Sequence, residues 1–378
     1  MPNVIDLFAG AGGLSLGASR AGFKVISAVE IDKNAITSHA INFPKTIHIQ
    51  KNILDLSGEE LLQLSKTSAN DVCGIIGGPP CQGFSSIGHG DVNDTRNTLF
   101  VKFFELIHEI QPTFFVAENV PGIMNPKYDG IRALAFQHVS DYTMLPPLIV
   151  NASEYGAATN RTRYFFIGYL NNGHINPLTT ADIQKRKVTV GNLTTVRKAL
   201  EGLPTTIQGM PNNGTQALLP DYCNKQAHHE QCSFFYHRVL GKCPPGVGDK
   251  EYIRNFKQNH EVNGFLPTHH SDAVMERYDA LEVGKQDRVS KSTRLNPDSF
   301  CPTLRAGTGP DKGSFQAVRP IHYTEARVIM PREAARLQGF PDWYKLPDTI
   351  WHSFRQIGNS VSPIAAEQVL RAIFQKLT

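Results

Sequence analysis

Four short apolar runs constrain this chain more than any other feature. Val4–Phe8, Val25–Val29, Val72–Ile76 and Thr113–Ala117 are nearly continuous in apolar side chains, the pattern of strands covered on both faces. Stretches of helical length separate them. The segment 99–110 carries apolar residues at 99, 100, 103, 104, 106, 107 and 110, which gives a helix with a broad apolar face. This alternation predicts an α/β fold with a doubly wound, mainly parallel sheet over residues 1–170. The pattern then breaks. Residues 171–302 are rich in turns, as in Pro211-Asn-Asn-Gly and Pro244-Pro-Gly-Val-Gly, and read either as a loop-rich insertion or as a separate substrate-reading unit. Helical periodicity returns within 303–378, at 331–338 and 362–377.

Composition narrows the classes. At 378 residues the chain is long enough for two structural units. Its apolar runs, such as 145–150 and 164–170, are too short to span a bilayer. The start, Met1-Pro-Asn-Val-Ile-Asp, has no basic leader. Six cysteines at 73, 81, 223, 232, 243 and 301 do not make a disulfide framework, so a reduced, cytoplasmic setting is expected. A net charge of +4 permits nucleic-acid binding without requiring it. Cys223, Cys232 and Cys243 with His228, His229 and His237 lack the close pairs of a structural zinc site, so no metal is expected. Lys185-Arg186-Lys187 reads as a solvated surface run.

Three loops carry chemistry. After the first strand come Gly10, Ala11, Gly12 and Gly13, and Glu30 ends the next strand twenty residues later. Glycines let a ligand approach the backbone, and an acid at this interval can accept from ribose hydroxyls. Together they favour a nucleoside-cofactor site. The order Gly-x-Gly-Gly departs from a dinucleotide fingerprint without excluding one. After the third strand comes Gly77-Gly-Pro-Pro-Cys81-Gln-Gly-Phe-Ser85. A thiol held at the carboxyl end of a strand can act as a nucleophile if the thiolate is favoured, although a lone cysteine in a Pro-Gly turn is more often inert. After the fourth come Glu118 and Asn119; a carboxylate there is costly unless it is hydrogen-bonded or used. Further on, Arg161 and Arg163 are spaced to share one face of a strand.

In this order the segments resemble the DNA (cytosine-5)-methyltransferase family of the prokaryotic restriction-modification type. Asp6-Leu-Phe-Ala-Gly-Ala-Gly-Gly is similar to its cofactor loop, Gly78-Pro-Pro-Cys81-Gln-Gly-Phe-Ser to its nucleophile loop, and Glu118-Asn119-Val120 to its Glu-Asn-Val. Arg161-Thr-Arg163, Arg336-Leu-Gln-Gly-Phe-Pro-Asp and Gln356-Ile-Gly-Asn359-Ser-Val361 resemble its later blocks. The resemblance covers 4–170 and 303–375.

It implies a Rossmann-like sheet built for S-adenosylmethionine, with the last block folded back beside the first and 171–302 as the target recognition domain. Phe8, Gly10, Ala11, Gly12, Gly13, Glu30, Ile31, Asn52, Ile53, Pro80, Leu99, Asn359 and Val361 would bind the cofactor. Cys81, Glu118, Arg161 and Arg163 would be catalytic, and Ser85 and Thr303 would touch DNA, the threonine at a phosphate. The implied reaction methylates C5 of a cytosine flipped out of double-stranded DNA, through a Cys81 adduct at C6, with 83–96 as a closing loop. A monomer is expected, with a cognate restriction endonuclease as a possible companion. Two departures stand out. Thr159 occupies a place usually held by Gln, and Asn52 one usually held by Asp. Alternatives are RNA cytosine methylation and a DNA binder that has lost its chemistry.

Overall fold

The computed structural model describes residues 1–80, 97–205, 216–218, 234–305 and 319–378. Among them the apolar runs become β1 (Asn3–Leu7), β2 (Lys24–Val29), β4 (Val72–Gly77) and β5 (Phe114–Asn119), with a short β3 (Ile47–Ile49) at the edge. The fourth run extends two residues past the sequence expectation, so that Glu118 and Asn119 are themselves part of the strand.

These five strands are parallel, in the order β3-β2-β1-β4-β5. Helices α1 (Gly13–Ala21), α2 (Lys33–Asn42), α3 (Gly58–Leu64) and α4 (Asn97–Ile110) make the crossovers. The chain runs outward from β1 in one direction, then returns and continues from β4 in the other. The crevice between the carboxyl ends of β1 and β4 is therefore a topological switch point, where such sheets bind ligands.

Beyond β5 the sheet turns antiparallel. Among the described residues, β9 (Thr162–Tyr169) pairs with β5, and β6 (Thr143–Met144) and β7 (Leu148–Asn151) follow one another along its far edge. Between β7 and β9, the two-residue β8 (Thr159–Asn160) leaves the sheet to pair in parallel with Cys301–Pro302.

Side chains alternate across the sheet and both faces are covered. On β5, Phe114 and Val116 join one buried cluster, while Phe115 and Ala117 join another with Phe100, Phe103 and Phe104 of α4. The first cluster is closed by the helix Pro363–Phe374, which lies against α1. Gly13 shows how closely the end of the chain returns to its beginning. A Cβ there would stand 2.0 Å from Ser360 Oγ and 2.3 Å from the Val361 carbonyl oxygen, so only glycine fits.

The described part of 171–302 contributes to the same first cluster. Val196, Leu200, Tyr236, Phe256 and Val262 pack with Met330, Leu337 and Trp343. The helix Pro331–Gln338 lies between these regions with all eight residues buried. Its charges are matched by specific partners. Arg336 pairs with Asp342 at 2.5 Å and donates to the carbonyls of Ala199 and Glu201. Arg332 donates to the carbonyls of Asn263, Pro341 and Tyr344. Glu333 receives both terminal nitrogens of Arg327. No described helix is long and apolar enough to cross a membrane.

Candidate active site

The strand ends around the switch point enclose a cavity of about 540 Å³, a size suited to a nucleoside-bearing ligand. Of the residues expected at a cofactor site, Phe8, Gly10, Ala11, Gly13, Glu30, Ile31, Asn52, Ile53, Pro80, Leu99, Asn359 and Val361 line it. Gly12 does not. Its missing side chain faces the ring of Phe43 and the Tyr344 hydroxyl behind the loop, so it serves packing rather than the cavity wall.

Local conformation explains the shape of the wall. Phe8 takes a positive φ of 61° and ends β1 abruptly, a backbone state that a bulky residue holds only where its surroundings enforce it. Glu30 binds both sides of the opening. Its Oε2 accepts from Gly10 N at 3.0 Å and its Oε1 from Asp32 N at 2.8 Å. Burial raises the Glu30 carboxyl above the usual range, while those backbone donors pull it back. Ile31 is 63% exposed beside it, an apolar surface available to a flat ring. Asn52 caps the next turn by accepting from Leu54 N at 3.2 Å, which occupies one lone pair of its amide oxygen.

The opposite wall carries the ionic groups. Antiparallel register sets Glu118 opposite Phe165. Arg163, two residues from Phe165 and on the same face, reaches diagonally to it. Arg163 Nε stands 2.8 Å from Glu118 Oε1, but the approach is off-axis, and Oε1 accepts no hydrogen bond among the described residues. Glu118 is 8% exposed. Asn119 Nδ2 donates to the Pro79 carbonyl at 3.3 Å, tying the Gly-Pro-Pro loop to β5. A Cβ on Gly78 would lie 3.1 Å from Glu118 Oε2, so glycine leaves room for the carboxylate. Pro80 ends the described stretch 1–80 and lines the cavity. Cys81, Ser85 and the segment 83–96 lie outside the described residues, as do Cys223, Cys232, His228 and His229.

Arg161 also lines the cavity, but it sits in the break between β8 and β9, and its Nη1 donates to the Leu304 carbonyl at 3.1 Å. The strip 158–161 is joined to 301–304 throughout. Cys301 N donates to Ala158 O, Thr159 Oγ1 to Cys301 O at 3.1 Å, and Thr303 Oγ1 to Asn160 O at 2.7 Å. Thr159 thus has a structural partner of its own. The single hydroxyl proton of Thr303 is already committed, so a phosphate, which only accepts, could be met only if that bond were exchanged.

Sequence reasoning missed several wall residues. Arg355 Nη1 pairs with Asp32 Oδ2 at 2.8 Å, and Asp6, Asn34, His352 and Gln356 also face the cavity. The only signal was position: Arg355 immediately precedes Gln356-Ile-Gly-Asn. Lys187 of the basic run is paired with Glu154, and Arg186 donates to Gln368 and Gln375.

A family model of the C-5 cytosine-specific DNA methylases matches residues 2–375. The chain belongs to this family. Among curated relatives, the type II methyltransferase M.XorII of Xanthomonas oryzae pv. oryzae is 35% identical, over 99% of this chain and 86% of that protein. M.DdeI of Desulfomicrobium norvegicum is 32% identical, over 98% and 88%. A crystal structure assigned as a DNA modification methyltransferase encoded within an E. coli prophage superposes with a TM-score of 0.86 at 47% identity, covering 100% of this chain and 99% of that one. S. pombe Dnmt2 shares the fold at a TM-score of 0.61 and 16% identity, over 99% and 98%. The methylase therefore carries its family's sheet and, around the switch point, a cavity lined by Asp6, Glu30 and Asp32 and by the Glu118–Arg163 pair.

Proposed function

We propose that the methylase transfers a methyl group from S-adenosylmethionine to C5 of a cytosine flipped out of double-stranded DNA, within a sequence read by residues 171–302. The observation that carries this reading is the Glu118–Arg163 pair on the wall of a nucleoside-sized cavity, one residue of whose rim, Pro80, directly precedes Cys81. The type II names of the relatives support a restriction-modification setting, with a restriction endonuclease of the same specificity as companion and a cytoplasmic location beside the DNA.

The cavity fits the cofactor chemically. Glu30 offers acceptors for ribose hydroxyls, Ile31 an apolar surface for adenine, and Asn52 an amide oxygen for its amino group. When bound, S-adenosylmethionine supplies an electrophilic methyl group on a sulfonium. Cytosine C5 is too weak a nucleophile to take it unaided. The Cys81 thiolate forms a bond to C6, and the displaced electron pair moves towards C5. Glu118 offers a proton or hydrogen bond at N3 as negative charge develops on the ring, and Arg163 orients Glu118 and holds the base's O2. After methylation the C5 proton leaves, and the electrons of that bond expel the thiolate from C6. Extrusion of the base costs roughly a few kcal/mol and is required because none of these atoms is reachable within a duplex.

The test uses duplex DNA with 5-fluorocytosine at the modified position. The fluorine cannot leave as a proton does, so wild-type enzyme with cofactor is expected to form a covalent complex that survives denaturation, and Cys81→Ala to form none while still binding DNA. The site itself is found by sequencing DNA from cells expressing the enzyme with a method that reports 5-methylcytosine. Labelled methyl incorporated into RNA but not DNA would contradict the reading.

A further inference from the structure

One face of the helix Ile350–Asn359 is part of the cavity wall. His352, Arg355, Gln356 and Asn359 line the cavity, and their i, i+3, i+4, i+7 spacing puts them on one side of the helix. This face meets the turn between β2 and α2, which brings Glu30, Asp32 and Asn34 to the same cavity.

Two consecutive side chains of the helix grip that turn. Arg355 Nη1 stands 2.8 Å from Asp32 Oδ2, and Gln356 Nε2 donates to the Asn34 carbonyl at 3.1 Å. The Arg355 guanidinium also lies 5.1 Å from the centre of the Trp351 ring, one helical turn away. That contact narrows the angles the guanidinium can take.

Asp32 is the centre of the junction. Its Oδ1 accepts from Ala35 N at 3.0 Å and so caps α2. Its own N–H donates to Glu30 Oε1 at 2.8 Å, while Gly10 N donates to Glu30 Oε2 at 3.0 Å. The Glu30 carboxylate is therefore held between two backbone donors, one of them on the residue that Arg355 grips. Each of its oxygens keeps a lone pair for a further donor. The cap ties Asp32 only to its own helix; the ion pair ties the turn to the far end of the chain.

The Arg355 and Asp32 side chains are 39% and 25% exposed. A pair this open to water adds little to overall stability, so its effect on the cavity can be read apart from folding. A hydrogen bond weakens steeply with misalignment, and a small rotation of the Glu30 carboxylate is enough to lose a hydroxyl donor.

We propose that Arg355 is a positioning residue for the cofactor: acting through Asp32, it sets the angle at which the Glu30 carboxylate meets the ribose hydroxyls. The inference rests on the cofactor reading above and deepens it.

The test is calorimetry on the full chain with S-adenosylhomocysteine and with its 2′,3′-dideoxy analogue, which lacks both ribose hydroxyls. The ratio of the two Kd values reads the hydroxyl contacts alone. In the wild type the analogue should bind at least about tenfold more weakly. Arg355→Gln should weaken S-adenosylhomocysteine by about fivefold and the analogue far less, so that the ratio shrinks by that factor. Arg355→Lys, which keeps the charge, should recover part of the ratio. Asp32→Asn can still cap α2 but offers Arg355 no charge, and should shrink the ratio as Arg355→Gln does. In a Glu30→Gln background, adding Arg355→Gln should change the ratio little, because both substitutions act on one contact.

Equal weakening of both ligands by Arg355→Gln would make Arg355 a merely structural part of the wall and overturn the proposal. An unchanged ratio in Arg355→Gln and Asp32→Asn would overturn it too, as would full additivity with Glu30→Gln. Equal binding of the two ligands by the wild type would remove Glu30 from the ribose, and the proposal with it, while leaving the cofactor reading in place. No binding of S-adenosylhomocysteine to the wild type would remove the cofactor reading itself.

Discussion

Arg163 Nε stands 2.8 Å from Glu118 Oε1 because the antiparallel register of β5 and β9 places the two side chains diagonally on one face of the sheet. The pair is about one-tenth exposed on each side, and its off-axis approach leaves Oε1 open to a donor on an incoming base. Arg163→Lys keeps the charge but loses the planar fork that holds this angle. Methyl transfer in single-turnover assays is expected to fall on the order of a hundredfold, with Glu118→Gln losing at least as much. Near-wild-type rates in both variants would remove the pair from the mechanism.

Thr159 is fully buried, and its hydroxyl donates to the Cys301 carbonyl. Thr159→Val keeps the shape but strands that oxygen, at a cost of about 1–3 kcal/mol. Urea denaturation should show the midpoint falling with an unchanged slope. Cofactor affinity should hold, since Thr159 is not part of the cavity wall.

Arg336 and Asp342 form a buried pair within the return of the chain, 1% and 0% exposed. Arg336→Leu leaves Asp342 charged and unpaired, and the carbonyls of Ala199 and Glu201 without this donor. A loss of about 3–5 kcal/mol is expected, enough to appear as poor soluble yield. Asp342→Asn, which can still accept from Arg336, should lose less.

Burial lowers His322 from its ordinary range to about 4, against the opposing pull of Glu333. The native state therefore holds this ring neutral where the unfolded chain would bind a proton. Its stabilising contribution is complete above about pH 6.5 and is lost as pH falls towards about 4, amounting to a few kcal/mol. His39 and His48 are shifted in the same direction by burial. Denaturation midpoints should fall steeply between these limits, and His322→Gln should flatten part of that slope.

Much of the fold was legible because its signals are local. A run such as Phe114-Phe-Val-Ala is buried on both faces wherever it lies in a sheet, and glycines after β1 with Glu30 directly after β2 mark the opening of a crevice whatever else surrounds them. The order of the motif blocks was likewise readable along one dimension. The helix 331–338 was legible as a helix, but not as one whose charged residues are all buried. That depends on carbonyls from residues 199, 201 and 263, brought in from the middle of the chain.

Local spacing along the backbone, by itself, determined the strand–helix alternation, the glycine loop, and the presence of Glu118 and Arg163 near strand ends. Tertiary structure alone decided which groups lose water together. It set Gly13 against Ser360, closed Arg355 on Asp32, committed the Thr303 hydroxyl to Asn160, and aligned Asp6 with Ser15, His39 and His48. Periodicity records which face of an element is apolar. The state of a buried polar group depends on partners tens or hundreds of residues away, and only the folded chain supplies them.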